Sequence, residues 1–328
     1  MTGLLLILLS GGTVETVAGD GSSGPVAQGV ATEVACPDPF AMAFDNDGRM
    51  LVALAAPHRI VRVENGTLSV FAGTGEAGGG DGDRTAAAFD EPYDLELDAR
   101  GDLFLVERLG GRVRKVRGDA VTTLSSGTSA PFRQPHDLCL SRGVLFVCDT
   151  LNDRVCVVLA GGTTGVLALT HDGEPWTPDG PRVIAARGDD ELILVLREGN
   201  SVWSIDRDEH TVRRLAGTGK RGYSGDGGPA VDARLNGPKG LAVAAGGDLY
   251  VADCESHVVR RIDAATGVIT TVVGDGVRGD GPDGDSASCR LNRPHGLAFD
   301  REGRLHIADT LNNKVRRVTF GGQGASAR

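Results

Sequence analysis

The 328-residue chain carries 34 Lys and Arg against 44 Asp and Glu, a formal net charge of −10. That balance argues against a phosphate-gripping surface, since nucleic-acid affinity rests on clustered basic residues, and nucleic acid is not an expected partner. Forty-nine glycines together with 40% apolar content point to many tight turns around a buried core and exclude a disordered chain.

In chain order the first feature is residues 4–9, a six-residue apolar run within an N-terminal segment, 1–12. It is too short to span a membrane and lacks the basic flank of a secretory signal. The expectation is a cytoplasmic protein without membrane contact, a monomer, with secretion as the alternative. Residues 4–9, a Ser10-Gly11-Gly12 turn and residues 13–19 also have the form of strand, turn and strand.

A four-strand unit then repeats. Its cleanest copy runs Leu235-Asn236-Gly237-Pro238-Lys239-Gly240-Leu241-Ala242-Val243, then Leu249-Tyr250-Val251-Ala252-Asp253, then residues 258–263, then 268–274. Each unit opens on a proline, at Pro39, Pro92, Pro135, Pro181, Pro238 and Pro294, tolerated there because the first residue of a strand owes no ladder donor. Second strands follow at 50–54, 103–107, 145–149, 192–196, 249–253 and 305–309. Six units of four short strands predict an all-β, six-bladed β-propeller over residues 13–320, followed by a tail, 321–328. The last unit lacks a fourth strand after residue 320, while residues 13–19 match the fourth segment 268–274 and have no first or second strand before them. The N-terminal strand is therefore expected to complete the last blade and close the ring.

Several features read as structural. The Gly- and Asp-rich stretches 78–83, 225–230 and 279–285 are tight turns, with Ca²⁺ coordination as the alternative. The acids ending four second strands, Glu107, Asp149, Asp253 and Asp309, are expected to cap the turn that follows. His58 and His257 align with Asp153 and Asn313 as surface turn residues. Arg213-Arg214, Arg260-Arg261 and Arg316-Arg317 are expected on solvated strand faces. Six cysteines show no metal-site spacing; free buried thiols are the default, with Cys139–Cys148 and Cys36–Cys289 as candidate bridges.

The Leu-Asn-x-Pro-x-Gly-Leu-Ala-Val opening, the Leu-Tyr-Val-Ala-Asp strand, the x-Val-Arg-Arg stretch after it and the Ser-Gly-Asp-Gly-Gly-Pro-Ala loop at 224–230 resemble NHL repeats of the bacterial type. The resemblance covers about residues 13–320 and implies a six-bladed propeller without implying a function, since this architecture carries scaffolds, RNA binders and enzymes.

Outliers from the repeat are the candidate functional residues. The residue after each opening proline begins an innermost strand at one mouth of the channel: Phe40, Tyr93, His136, Arg182, Lys239 and His295. A position serving only the blade would tend to repeat one residue type. This one assembles two imidazoles, a phenol, a guanidinium, an ammonium and a phenyl ring, the inventory of a polar pocket with an apolar wall. Two and four residues after the proline the pattern is small: Ala41 and Ala43, Val183 and Ala185, Gly240 and Ala242, Gly296 and Ala298. Blades two and three depart from it with Asp94 and Glu96, and with Asp137 and Cys139. Carboxylates there need partners, and Arg182, Lys239, His136 or a metal are the expected ones.

Among NHL-like propellers, the peptidyl-hydroxyglycine amidating lyase binds a catalytic zinc through channel histidines, and His136 and His295 are similar to those ligands. The resemblance implies a zinc on His136 and His295, with Asp137 or Asp94 as the third ligand a catalytic zinc requires, so a divalent metal, zinc or calcium, is the candidate cofactor. Without metal, Tyr93 or His136 is the expected general base and Arg182 or Lys239 the clamp on a developing oxyanion. The expected function is a lyase- or hydrolase-type enzyme for a small molecule held in the channel mouth. In that scheme His136, Tyr93, Arg182 and Asp137 are catalytic, and Phe40, Lys239, Asp94, Glu96 and His295 bind the substrate. The alternative is a non-catalytic propeller scaffold that binds a ligand or a protein.

Overall fold

The computed structural model describes residues 11–126 and 131–321. The apolar run 4–9 and tail residues 322–328 lie outside the described residues. No helix among the described residues is long and apolar enough to cross a membrane.

Six antiparallel sheets surround a central channel. Their innermost strands are Pro39–Phe44, Pro92–Leu97, Pro135–Ser141, Pro181–Arg187, Gly240–Val243 and Leu297–Phe299. The second strands, such as Met50–Leu54, Leu103–Glu107 and Leu249–Asp253, are buried throughout because both sheet faces pack on neighbouring blades. Their near-continuous apolar composition follows from that two-sided burial. The core is accordingly six wedges, one per blade interface. Ile193, Val195, Leu241 and Val251 fill the wedge between blades four and five, and Val106, Leu138 and Val147 that between two and three.

The ring closes as the repeat predicts. Gly12–Ala18 pairs antiparallel with Lys314–Phe320, from Gly12 opposite Phe320 to Ala18 opposite Val315, and Val14 and Ala18 are buried. A two-stranded hairpin, Leu169–His171 with Glu174–Trp176, lies between blades three and four. It sets Trp176 against Trp203, ring centroids 4.9 Å apart, and has no counterpart in the repeat.

One backbone device recurs at every blade entry. The residue before each opening proline has a left-handed backbone: Asp38, Glu91, Gln134, Gly180, Gly237 and Arg293, with φ between 48° and 61°. Four of these carry side chains, which makes the conformation unfavourable on its own. The preceding blade holds it in place. Its second-turn residue, also left-handed, accepts the entry residue's backbone N–H. Glu91 N–H donates to His58 Nδ1 at 3.1 Å, and Gly180 N–H to Asp153 Oδ1 at 3.0 Å. Gly237 N–H donates to Asn200 Oδ1 at 2.9 Å, Arg293 N–H to His257 Nδ1 at 3.1 Å, and Asp38 N–H to Asn313 Oδ1 at 3.0 Å across the ring closure. In blade two the equivalent turn residue is Gly111, φ 59°, which has no side chain to offer. His58 and His257 are thus interblade latches and not merely surface turn residues.

Two further expectations are corrected, those for the second-strand acids and for the paired arginines. Three of the acids ending the second strands take the backbone N–H of the entry to their own blade and meet the following turn only through side chains, Asn152 on Asp149 and Asn312 on Asp309, while Glu107 pairs with Arg112 and Arg114. Asp149 accepts from Arg133 N–H at 2.7 Å, Asp253 from Asn236 N–H at 2.6 Å and Asp309 from Asn292 N–H at 2.7 Å, because the inner strand's lead-in passes beside the end of the second strand. Of the paired arginines, Arg213 and Arg214 are exposed but Arg260 and Arg316 are fully buried, as is Arg114. These three reach the Gly/Asp loops and bind Asp226, Asp280 with Asp283, and Asp81. Those carboxylates hold the arginines and accept from cross-strand threonine N–H groups. All six cysteines are free and buried. Cys139 and Cys148 share a wedge but sit diagonally, opposite Phe146 and Asp137, and Cys36 and Cys289 lie in different wedges; neither candidate pair is bridged.

Asn313→Gly keeps the left-handed backbone and removes the latch together with the weaker Nδ2 bond to Gly21 O at 3.3 Å. It is expected to destabilise the protein by about 1 kcal/mol, and Asn313→Ala by about 1 kcal/mol more through backbone strain. Urea denaturation checks this; a glycine variant as stable as the parent would deny the latch any energetic role.

Candidate functional site

The left-handed entry shared by all six blades sets where the residue after the proline starts its strand, facing the axis. In blades one to four the register shifts between the proline and the second residue after it, so Phe40, Tyr93, His136 and Arg182 are bulged out of the ladder. A bulge leaves the extra residue unpaired and re-aims its side chain. Lys239 and His295 sit just ahead of their strands, each donating its N–H across to the second strand, to Ala252 O and Ala308 O at 3.0 Å.

All six side chains line one cavity at this mouth. Phe40 stacks on Tyr93 with centroids 4.1 Å apart; His295 meets Phe40 edge-on at 4.6 Å and His136 meets Tyr93 edge-on at 4.9 Å. This arc spans blades six, one, two and three, and Arg182 and Lys239 complete the ring. Phe40 is half-buried and the other five are under a tenth exposed. The enclosed space among them is about 50 Å³, room for a group the size of a carboxylate.

Hydrogen bonds settle which imidazole nitrogen is free. The Thr150 hydroxyl lies 2.6 Å from the Pro181 carbonyl, to which it donates, and 2.8 Å from His136 Nδ1. With its single proton committed to Pro181, Thr150 must accept from His136 Nδ1–H, leaving the Nε2 lone pair toward the cavity. His295 Nδ1 lies 2.9 Å from the Arg293 carbonyl, which can only accept, so its Nε2 is equally a lone-pair site. Both imidazoles titrate well below the ordinary histidine range. Burial is the main cause for each, followed by Arg182 for His136 and by Lys239 and Arg182 for His295.

Tyr93 accepts a hydrogen bond from Arg182 Nη2 at 2.5 Å, and the guanidinium carbon lies 5.0 Å from its ring centroid. Burial raises the phenol's pKa further than Arg182 lowers it, so at neutral pH Tyr93 is a proton donor and not the base considered from sequence. Lys239 pairs with Glu255 at 3.1 Å, and burial lowers its pKa.

The channel acids sit below the ring, and their partners are not the expected cations. Asp94 accepts from Leu138 N–H at 3.1 Å and Asp137 from Ile184 N–H at 2.8 Å, each reaching the inner strand of the next blade. Glu96 bonds Leu140 N–H in the same way. An innermost strand has no further strand to take its inward N–H groups, and these carboxyls satisfy them. Between blades six and one the backbones meet directly instead. Gly296 N–H donates to Phe40 O at 2.8 Å, where a Cβ on Gly296 would lie 2.3 Å from that oxygen. Burial raises Asp94, Asp137 and Glu96, the last to about 8, with the Asp94 charge as a second cause for Asp137 and Glu96. Beneath them the channel widens to about 400 Å³, lined by these acids, Cys139 and apolar strand residues.

A resident metal does not fit this donor set. Among the described residues no three His, Cys, Asp or Glu side chains are grouped to hold an ion. His136 and His295 share their cavity with Arg182 and Lys239, whose charge opposes a divalent cation. Asp94 and Asp137 are occupied by backbone donors.

Thr150, Glu255 and the Arg293 carbonyl were missed from sequence. Thr150 had a signal: Asp-Thr-Leu-Asn occurs at 149–152 and again at 309–312, in the two blades that carry the mouth histidines. Thr310 likewise donates to a proline carbonyl, Pro39 O, at 2.7 Å.

The fold and its repeat define the class, a six-bladed β-propeller of NHL-type repeats. The Teneurin NHL domain family model matches residues 201–279. Chicken NHL repeat-containing protein 2 is 26% identical over 232 residues, covering 58% of this chain and 32% of that protein. The chain spans between about a tenth and a third of the length of these curated relatives. Among solved structures, an auxiliary nutrient binding protein from Bacteroides ovatus superposes with a TM-score of 0.74 at 17% identity, covering 94% of this chain and 77% of that one. Virginiamycin B lyase from Staphylococcus aureus superposes at 0.59 with 12% identity, covering 94% and 99%. This fold thus occurs in enzymes and in binding proteins.

Glu96 gives a pH test of the channel. Its pKa is about 8 in the folded protein against 4.5 in the unfolded chain, so the unfolded state gives up its proton first as pH rises, and stability falls across that interval. Glu96→Gln should remove this part of the fall, leaving the variant about 2 kcal/mol more stable than the parent above the upper pKa and equal to it below the lower one. The figure is well under the full linkage value because channel solvent screens the group. Thermal denaturation across pH checks it; parallel curves would show that Glu96 ionises freely.

Proposed function

We propose that this propeller is an enzyme acting on a small anionic or carbonyl-bearing molecule at the mouth where the inner strands begin, in a lyase- or hydrolase-type reaction. One observation carries the reading: two imidazoles are tied back through Nδ1 and turn Nε2 lone pairs into a cavity they share with a buried guanidinium and ammonium. His136 is the general base, oriented by Thr150. Its Nε2 takes a proton from a carbon beside the carbonyl or from an attacking water. The oxyanion that develops faces Arg182 and the Tyr93 hydroxyl, which are fixed in place by their mutual hydrogen bond. Lys239 adds positive charge and is positioned by Glu255. Phe40 supplies the apolar wall, and His295 faces the substrate from the opposite side. Asp137, Asp94 and Glu96 form a floor that burial pushes toward neutrality, with Asp137 acting as a positioning residue through Ile184 on Arg182's strand. The lyase neighbour supports the reading only by showing that this fold accommodates such chemistry elsewhere.

A second reading, ligand binding without turnover, is favoured by the tight closure of the mouth, with Phe40 stacked on Tyr93 over a space of about 50 Å³.

A screen of small carboxylates, lactones and esters, followed by NMR for new products, separates the two. On a turned-over substrate, His136→Gln should lower kcat about 100- to 1,000-fold with little change in Tm. The acid limb of the parent's kcat/KM profile should fall below pH 6.5, the ordinary histidine value, because burial and Arg182 depress the imidazole. A bound ligand with no product, held equally by parent and variant, would favour the binding reading.

A further inference from the structure

Buried arginines follow a rule in this chain. Arg114 is neutralised by Glu107 and Asp81, Arg260 by Asp226, and Arg316 by Asp280, Asp283 and Asp309. Arg182 breaks the rule. It is 6% exposed, yet its hydrogen bond goes to the neutral Tyr93 hydroxyl, and it forms no ion pair among the described residues. A guanidinium taken out of water without a counter-charge is strongly unfavourable. The channel acids form no ion pair with it: Asp94, Glu96 and Asp137 bond backbone N–H groups of the next blade, and burial pushes all three toward their neutral forms. Beside Arg182 the imbalance grows, because Lys239 and Arg293 share the single carboxylate of Glu255. The mouth is built to receive an anion.

The same cavity states what else the anion must carry. Tyr93 accepts from Arg182, so its own hydrogen is available to the anion. His136 and His295, by contrast, offer only Nε2 lone pairs, which need O–H or N–H donors. Half-buried Phe40 presents an apolar ring surface at the same place. The enclosed space admits a planar carboxylate, the shape that the arginine fork matches best.

We propose that the mouth binds a polyhydroxylated carboxylate, a sugar acid, with its carboxylate on Arg182 and Lys239 and its neighbouring hydroxyls donating to Nε2 of His136 and His295. This rests on reading the mouth as a ligand site, but not on any chemistry there. A neutral sugar would leave Arg182 uncompensated, and a simple carboxylate would leave both imidazoles without donors.

The test is titration calorimetry of the full chain at low salt with gluconate, galacturonate, glucose and propionate. At least one sugar acid is expected to bind about tenfold or more tightly than both glucose and propionate. Arg182→Gln should weaken that binding by at least about tenfold while raising the Tm of the free protein, because it removes an unpaired buried charge; a purely structural arginine would lower the Tm instead. Lys239→Gln, which leaves Arg182 in place, gives a second weakened variant should Arg182→Gln fail to fold. The proposal is overturned if neither acid binds, if glucose or propionate matches them, or if the folded variants bind as the parent does. Turnover of a substrate lacking a carboxylate would keep the catalytic reading and sink this one. Tight sugar-acid binding without turnover would do the reverse.

Discussion

Everything at the mouth depends on a strained backbone turn that each blade imposes on the next. The residue before every opening proline is left-handed, and four of the six are non-glycine residues that would not adopt that conformation unaided. A side-chain acceptor on the preceding blade's second turn fixes five of them, including the joint that closes the ring. The turn delivers the proline to the start of the strand and pushes the following residue out of the ladder toward the axis. The latch is therefore the mortar at five of the six blade joints, and the left-handed entry common to all six places the following residue at the channel mouth.

Charge placement separates structural sites from the candidate site. In blades two, five and six a buried arginine gathers the acids of the Gly/Asp loops and ties the inner sheet to the outer edge. Every such charge is answered from within the chain. At the mouth the balance is left open: Arg182 has only a phenol, and two cations divide one carboxylate. Buried charge without compensation persists where something outside the chain completes it. In the proposed site the two imidazoles, anchored through Nδ1 by a threonine hydroxyl and a carbonyl, would meet such a ligand as acceptors.

Internal repetition made much of this legible. The six opening prolines located the inner strands, and the match of residues 13–19 to 268–274 foretold the closing strand, because both follow from short-range pattern. The six mouth residues were found as outliers at an equivalent position, which is how symmetry exposes function. The roles of individual groups were less accessible. Asp94 and Asp137 looked like charges in search of cations, yet they serve backbone N–H groups of the adjacent blade, a partner that no spacing along the chain encodes. Arg260 and Arg316 looked solvated because strand alternation says nothing of a long side chain that runs beneath a loop.

The order of residues alone determined blade number, ring closure and which position of each blade faces the axis, since turn chemistry and two-residue alternation are local properties of the chain. Only the tertiary structure decided which nitrogen of His136 and His295 is free, which arginine lacks a counter-ion, and which acids are held neutral. Those outcomes depend on distances between blades far apart in the chain and on burial from water, and both come into being when the ring closes.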